Sequence, residues 1–119
     1  MKLTKFSAHT SGEPAIDFPK AERRLVGNPK RETWNVVSAA VGSGQIDTGI
    51  WRCEPGRWKI AFSASKHEVF TVLSGRCRVH NDAGHFEEIG PGESLYIPPN
   101  FTGAFEVVET ITKTYVIVE

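Results

Sequence analysis

The side chains able to do chemistry are few and scattered. His9, His67, His80 and His85 are the metal-ligating candidates, and Cys53 and Cys77 are the thiols. No CxxC pair occurs, and the histidines show no zinc-finger spacing. The two cysteines read as reduced, partly buried thiols rather than as a bridge. As nucleophiles they lack a histidine placed by sequence to activate them. Tyr96 and Tyr115 carry hydroxyls that need partners, which suits the polar end of a pocket. Trp58, Phe62, Phe70, Phe101 and Phe105 could line such a pocket, although large apolar residues are most often plain core.

The elements that must position these groups are strands. From Trp34 onward, short runs rich in β-branched and aromatic residues alternate with turn residues. The runs are Trp34–Val41, Ile46–Cys53, Trp58–Ser65, Glu68–Leu73, Arg76–His80, His85–Ile89, Glu93–Ile97, Gly103–Val108 and Thr112–Val118. Between them lie Gly42-Ser43-Gly44, Glu54-Pro55-Gly56, Ser74-Gly75, Asn81-Asp82-Ala83-Gly84, Gly90-Pro91-Gly92 and Pro98-Pro99-Asn100. Trp58, Ile60, Phe62 and Ala64 share one face of their run, the period-two signature of a half-buried strand. Tyr96 and Ser94 fall opposite Leu95 and Ile97, and the pattern leaves open which pair faces in. The whole predicts an all-β antiparallel sandwich or barrel without an amphipathic helix. Before Trp34 the chain contains Pro14, Pro19 and Pro29 and reads as an extended arm, with one short helical turn near Pro19–Arg24. The expected division is an arm with the first strand over 1–45 and a barrel over 46–119.

Composition excludes several classes. The 119 residues suit one domain, and 39% hydrophobic with 24% charged is a globular balance. Fourteen basic residues against fourteen acidic ones argue against a general nucleic-acid binder. No apolar run is long enough for a membrane-spanning helix, and the first residues lack the apolar stretch of a signal peptide, so a cytoplasmic location is expected. The zero net charge is uneven. Residues 1–33 hold seven basic and four acidic residues, whereas residues 34–119 hold seven and ten. The arm is either a solvated basic segment or one that lies on the acidic body of its own or a partner subunit.

Two stretches carry a family resemblance. Glu68-Val69-Phe70-Thr71-Val72-Leu73-Ser74-Gly75 and Gly92-Glu93-Ser94-Leu95-Tyr96-Ile97-Pro98 resemble the two motifs of the cupin superfamily. Gly49-Ile50-Trp51, Pro55-Gly56, Phe101–Val107 and Thr112–Tyr115 are similar to a small single-domain group. That group includes the ureidoglycine aminohydrolase-type cupin domains and many proteins of unknown function, and it is also similar to the cupin domain of an ethanolamine-utilisation protein. The resemblance implies a double-stranded β-helix, or jelly-roll barrel, with an extended N-terminal arm. It also implies a homodimer in which N-terminal strands often pair across subunits.

Metal-dependent cupins place a His-x-His pair before the motif Glu and another His after the second motif. The corresponding residues here are Phe62 and Ala64, or Ala61 and Ser63, and then Gly103. Of the ligand set only Glu68 remains, too few donors to hold a transition metal tightly, so no metal or other cofactor is expected. His67 adjoins Glu68 and on a regular strand points to the opposite face. Glu68 is then either a structural carboxylate with a Lys or Arg partner or a ligand-facing acid or base. Lys113 is its natural partner if that side chain faces inward; an outward, surface position is the plainer reading. The resulting candidate ligand-binding set is Glu68, Phe62, Ala64, Tyr96, Phe105, Lys113 and Tyr115, with Glu68 the best catalytic candidate.

Three functions fit. The first is a metal-free barrel that binds a small polar metabolite. The second is a metal-independent isomerase, hydrolase or lyase acting on a small carbohydrate or nitrogen metabolite. The third is a structural or assembly role.

Overall fold

The computed structural model describes residues 2–119. Nine strands form one continuous, curled sheet: β1 Ala15–Asp17, β2 Arg24–Val26, β3 Arg31–Val41, β4 Gly44–Cys53, β5 Gly56–Ala61, β6 His67–Asn81, β7 Phe86–Ile89, β8 Ser94–Ile97 and β9 Thr102–Val118. A single 3-10 turn, Ala21–Arg23, interrupts the arm where the helical turn is expected. All pairings are antiparallel. The result is the expected jelly-roll barrel.

Two long strands close it. On one edge, β9 pairs with β5 through its first half and with β4 through its second. On the other edge it pairs with β6 from His67↔Val118 to Asn81↔Gly103. Register shifts in β6 at Val72/Ser74, Ser74/Arg76 and Arg76/Cys77 bend this ribbon, because a bulge adds residues to one strand and increases its local twist. Ser74-Gly75 therefore acts as a bulge within one 15-residue strand, where the sequence reads two strands and a turn. Gly75 has φ +83° there, a conformation open to glycine. Likewise the runs Gly103–Val108 and Thr112–Val118 belong to one strand.

The arm flanks the sheet. β1 pairs with β3 and β2 with β5 of the same chain. The core inside the curl includes Phe70, Val72, Ile97, Phe105, Val107 and Ile111. Burying each such side chain contributes roughly 1.5–3 kcal/mol. Cys53 and Cys77 are both buried in this core as free thiols. No helix among the described residues is long and apolar enough to cross a membrane.

Candidate functional site

The inner faces of β3, β4, β5, β6 and β9 surround an open cavity of about 410 Å³. Alternation selects what enters it. Asp47, Gly49, Trp51 and Cys53 share the inward phase of β4; Lys113, Tyr115 and Ile117 share that of β9. Trp51, Trp58, Phe62 and Phe105 make an aromatic wall. Trp58 stacks on Phe105 with ring centroids 5.4 Å apart, and Trp51 meets Phe105 edge-on at 5.6 Å.

At the floor lies an ion pair. Lys113 Nζ donates to Glu68 Oε2 at 2.9 Å, and the two residues are 5% and 9% exposed. In register Lys113 sits opposite Val72, four residues beyond Glu68 along β6, a separation of roughly 13 Å. Its side chain must therefore run along the barrel to reach the carboxylate. On the way its ammonium lies over the rings of Phe70, Trp51 and Phe105, at 4.1, 4.6 and 4.8 Å from their centroids. Ring faces attract a cation that has left water. The plainer reading of Lys113 as an outward surface group is thus corrected: its strand phase matches that of Tyr115, which is core.

A second polar group follows from a row across three strands. Asn35, Gly49 and Tyr115 are register partners on β3, β4 and β9. Gly49 between them has no side chain, so the Tyr115 hydroxyl reaches across and donates to Asn35 Oδ1 at 2.6 Å. Asn35 Nδ2 donates to Ser38 Oγ at 2.7 Å and to Asp47 Oδ1 at 3.1 Å, and Ser38 Oγ donates to the same carboxylate. Burial, then the nearby Asp47 and Glu68 charges, push the Tyr115 phenol up to about 12. The hydrogen bonds from Ser38 and Asn35 hold the Asp47 carboxyl below its ordinary value. At the rim, Arg31 clamps Asp17 through Nε at 2.8 Å and Nη2 at 2.7 Å, with its guanidinium 5.3 Å from the Trp58 ring centroid.

Five sequence candidates meet in this cavity: Glu68, Phe62, Phe105, Lys113 and Tyr115. Two do not. Ala64 lies exposed in the turn after β5, because that strand ends at Ala61 and the alternation stops with it. Tyr96 is 53% exposed on the outer face, where it stacks on His67 and its hydroxyl lies 2.8 Å from His67 Nδ1. Its neighbours Leu95 and Ile97 turn inward to the core. Sequence reasoning missed Arg31, Asn35, Asp47 and Trp51. A signal existed for Asp47 and Trp51, which share a strand face with Gly49. Arg31 and Asn35 lay hidden because the sequence starts this strand at Trp34, whereas β3 starts at Arg31 and points Arg31, Thr33 and Asn35 into the cavity in one alternating row.

The donor set does not fit the metal of metal-dependent cupins. Glu68 is already engaged by Lys113. A Cβ at position 103 would stand 1.9 Å from the His80 carbonyl oxygen, so this backbone admits no histidine there. Among the described residues no three His, Cys, Asp or Glu side chains converge.

Residues 40–115 match the family model of the EutQ-like cupin domain. The chain belongs to that family. Among solved structures, a DUF861-family protein of unknown function from Pseudomonas syringae pv. tomato superposes with a TM-score of 0.80 at 14% identity, covering 94% of this cupin chain and 46% of the other. The Clostridium difficile EutQ protein gives 0.64 at 17% identity, over 75% and 62%. A protein of unknown function from Rhizobium leguminosarum gives 0.63 at 21% identity, over 98% and 97%. The chain thus spans about half of the Pseudomonas protein and under two-thirds of the Clostridium one. These likenesses show a shared fold. No curated protein matches the chain.

Proposed function

We propose that this cupin domain is a binding module that takes a small polar metabolite into its barrel without the usual cupin metal. The observation that carries the reading is the cavity itself. About 410 Å³ is within the range of small-molecule sites, and an aromatic wall with a few convergent polar groups is their usual lining. Trp51 and Trp58 supply flat apolar contact, while Lys113, Glu68, Tyr115 and Asp47 supply orientation.

Those two tryptophans also supply the assay. A ligand seated in the barrel quenches or shifts their fluorescence and raises the melting temperature, because binding only the folded state adds stability by mass action. A panel of sugars, amino acids, small acids and ureido compounds should contain a hit that produces both signals. Replacing Phe105 with Trp, to fill the cavity, should remove the response while the chain stays folded. A panel without response, or a hit unaffected by filling the barrel, would overturn the reading.

A further inference from the structure

The hydrogen-bonding capacity left over in the cavity defines what the ligand must bring. Lys113 has three N–H donors, and Glu68 takes one. Among the described residues no other oxygen accepts from it; the rest of its surroundings are ring faces. An ammonium this deeply buried and short of acceptors is unfavourable, and Lys113 lines the open cavity rather than a sealed core. Two more cations face the same space. Lys66 lies 4.5 Å from the Phe62 ring centroid, and no carboxylate among the described residues pairs with it. Arg31 commits Nε and Nη2 to Asp17, and its Nη1 has no hydrogen-bond acceptor among the described residues.

The acceptors, by contrast, are mostly engaged, Glu68 Oε1 being the exception. Asn35 Oδ1 receives Tyr115, Asp47 receives Ser38, Asn35 and Gln45, and Glu68 receives Lys113. The unspent capacity of the site therefore lies mainly on positively charged donors, Lys113, Lys66 and Arg31, against the one free oxygen of Glu68. Resting on the reading of the barrel as a metabolite site, we propose that its ligand is a small organic anion, a carboxylate, with one oxygen seated on Lys113 beside the aromatic wall. The ammonium supplies the positive charge at the barrel floor, and Glu68 competes with the ligand for it.

Competition with Glu68 makes the proposal sharply testable. Matched small carboxylates, their primary amides and the corresponding amines are titrated by tryptophan fluorescence and calorimetry against the intact chain, E68Q, and the E68Q/K113M double variant. The double variant avoids leaving Glu68 buried alone; its unchanged circular dichroism certifies the fold. Carboxylates should bind at least about tenfold more tightly than their amides. They should bind about threefold or more tighter to E68Q, which keeps the cation and loses its competitor. They should weaken at least about tenfold in E68Q/K113M. Amides binding as well as acids, or weaker acid binding to E68Q, would overturn the anion proposal while leaving the barrel reading intact. No binding by any set, to the intact chain or to E68Q, at about 10 mM would overturn both.

Discussion

Burying Lys113 with Glu68 takes two charges out of water, and their attraction in the barrel offsets this only while both are present. Lys113→Met should therefore destabilise the chain by about 3–5 kcal/mol in urea unfolding, since it strands a buried carboxylate. The paired change Glu68→Leu with Lys113→Met should fold with stability equal to the parent or up to about 4 kcal/mol higher. That outcome would show that the pair is not retained for stability. The thiols respond to the same interior. Burial pushes Cys53 and Cys77 up to about 12 from 9.0. A folded value above the unfolded one favours the native state below the unfolded pKa, and that contribution is lost as pH rises toward the folded one. Tyr115 moves in the same direction. The melting temperature should accordingly fall between about pH 9 and pH 12, and less steeply in a Cys53→Ala, Cys77→Ala variant. Neither thiol should react with a disulfide reagent near neutral pH until the chain is unfolded. Tyr96 is the contrasting residue. Tyr96→Phe removes only a surface contact with His67, so it should change stability by less than about 1 kcal/mol and leave any ligand response intact.

At the scale of elements, the bends in β6 decide the shape. A straight ribbon of β6 and β9 would not curl over a core; the three register shifts near Gly75 make it do so. A Cβ on Gly75 would stand 2.1 Å from the Thr110 carbonyl oxygen on the facing strand, at a φ of +83°. Gly75→Ala should therefore cost about 1–3 kcal/mol in denaturant unfolding and leave an all-β circular dichroism spectrum. Elements also account for where the sequence could be read. The period of two in Trp58–Phe62 and in the second motif was legible because those strands are regular. The merger of runs into β6 and β9 was not, since glycine marks a turn and a bulge alike. The early start of β3 at Arg31 and the end of β5 at Ala61 were hidden for another reason, since Arg31-Glu32-Thr33 is wholly polar and the alternation from Trp58 runs on to Ala64 in the sequence.

At the scale of the whole molecule, the cavity depends on pairings between distant segments. β4 meets β9 from Ile46↔Val118 to Cys53↔Ile111, so residues far apart in sequence must close on each other before the floor exists. Such topologies fold slowly, and refolding in stopped flow should take milliseconds to seconds. Tryptophan fluorescence should recover together with far-ultraviolet dichroism, because Trp51 and Trp58 are packed by those same closures. The basic arm lies against its own chain, with β1 and β2 flanking the sheet and Lys30 N–H donating to the Glu54 carboxylate. Its Asp17 and Arg31 complete the cavity rim, which ties the uneven charge of the sequence to the mouth of the site.

The sequence by itself determined the fold class, the family resemblance, the missing histidines and the retained Glu68, because alternation, turn chemistry and motif spacing are local properties. Tertiary structure decided the direction of Lys113, the outward turn of Tyr96, and the meeting of Asn35 with Tyr115 over Gly49. Those depend on register between strands and on bulges, which set the phase of each side chain relative to residues far along the chain. A lysine on a strand looks the same from either face in the sequence. Only closure of the barrel, with Glu68 and three aromatic rings around it, made this one an internal cation.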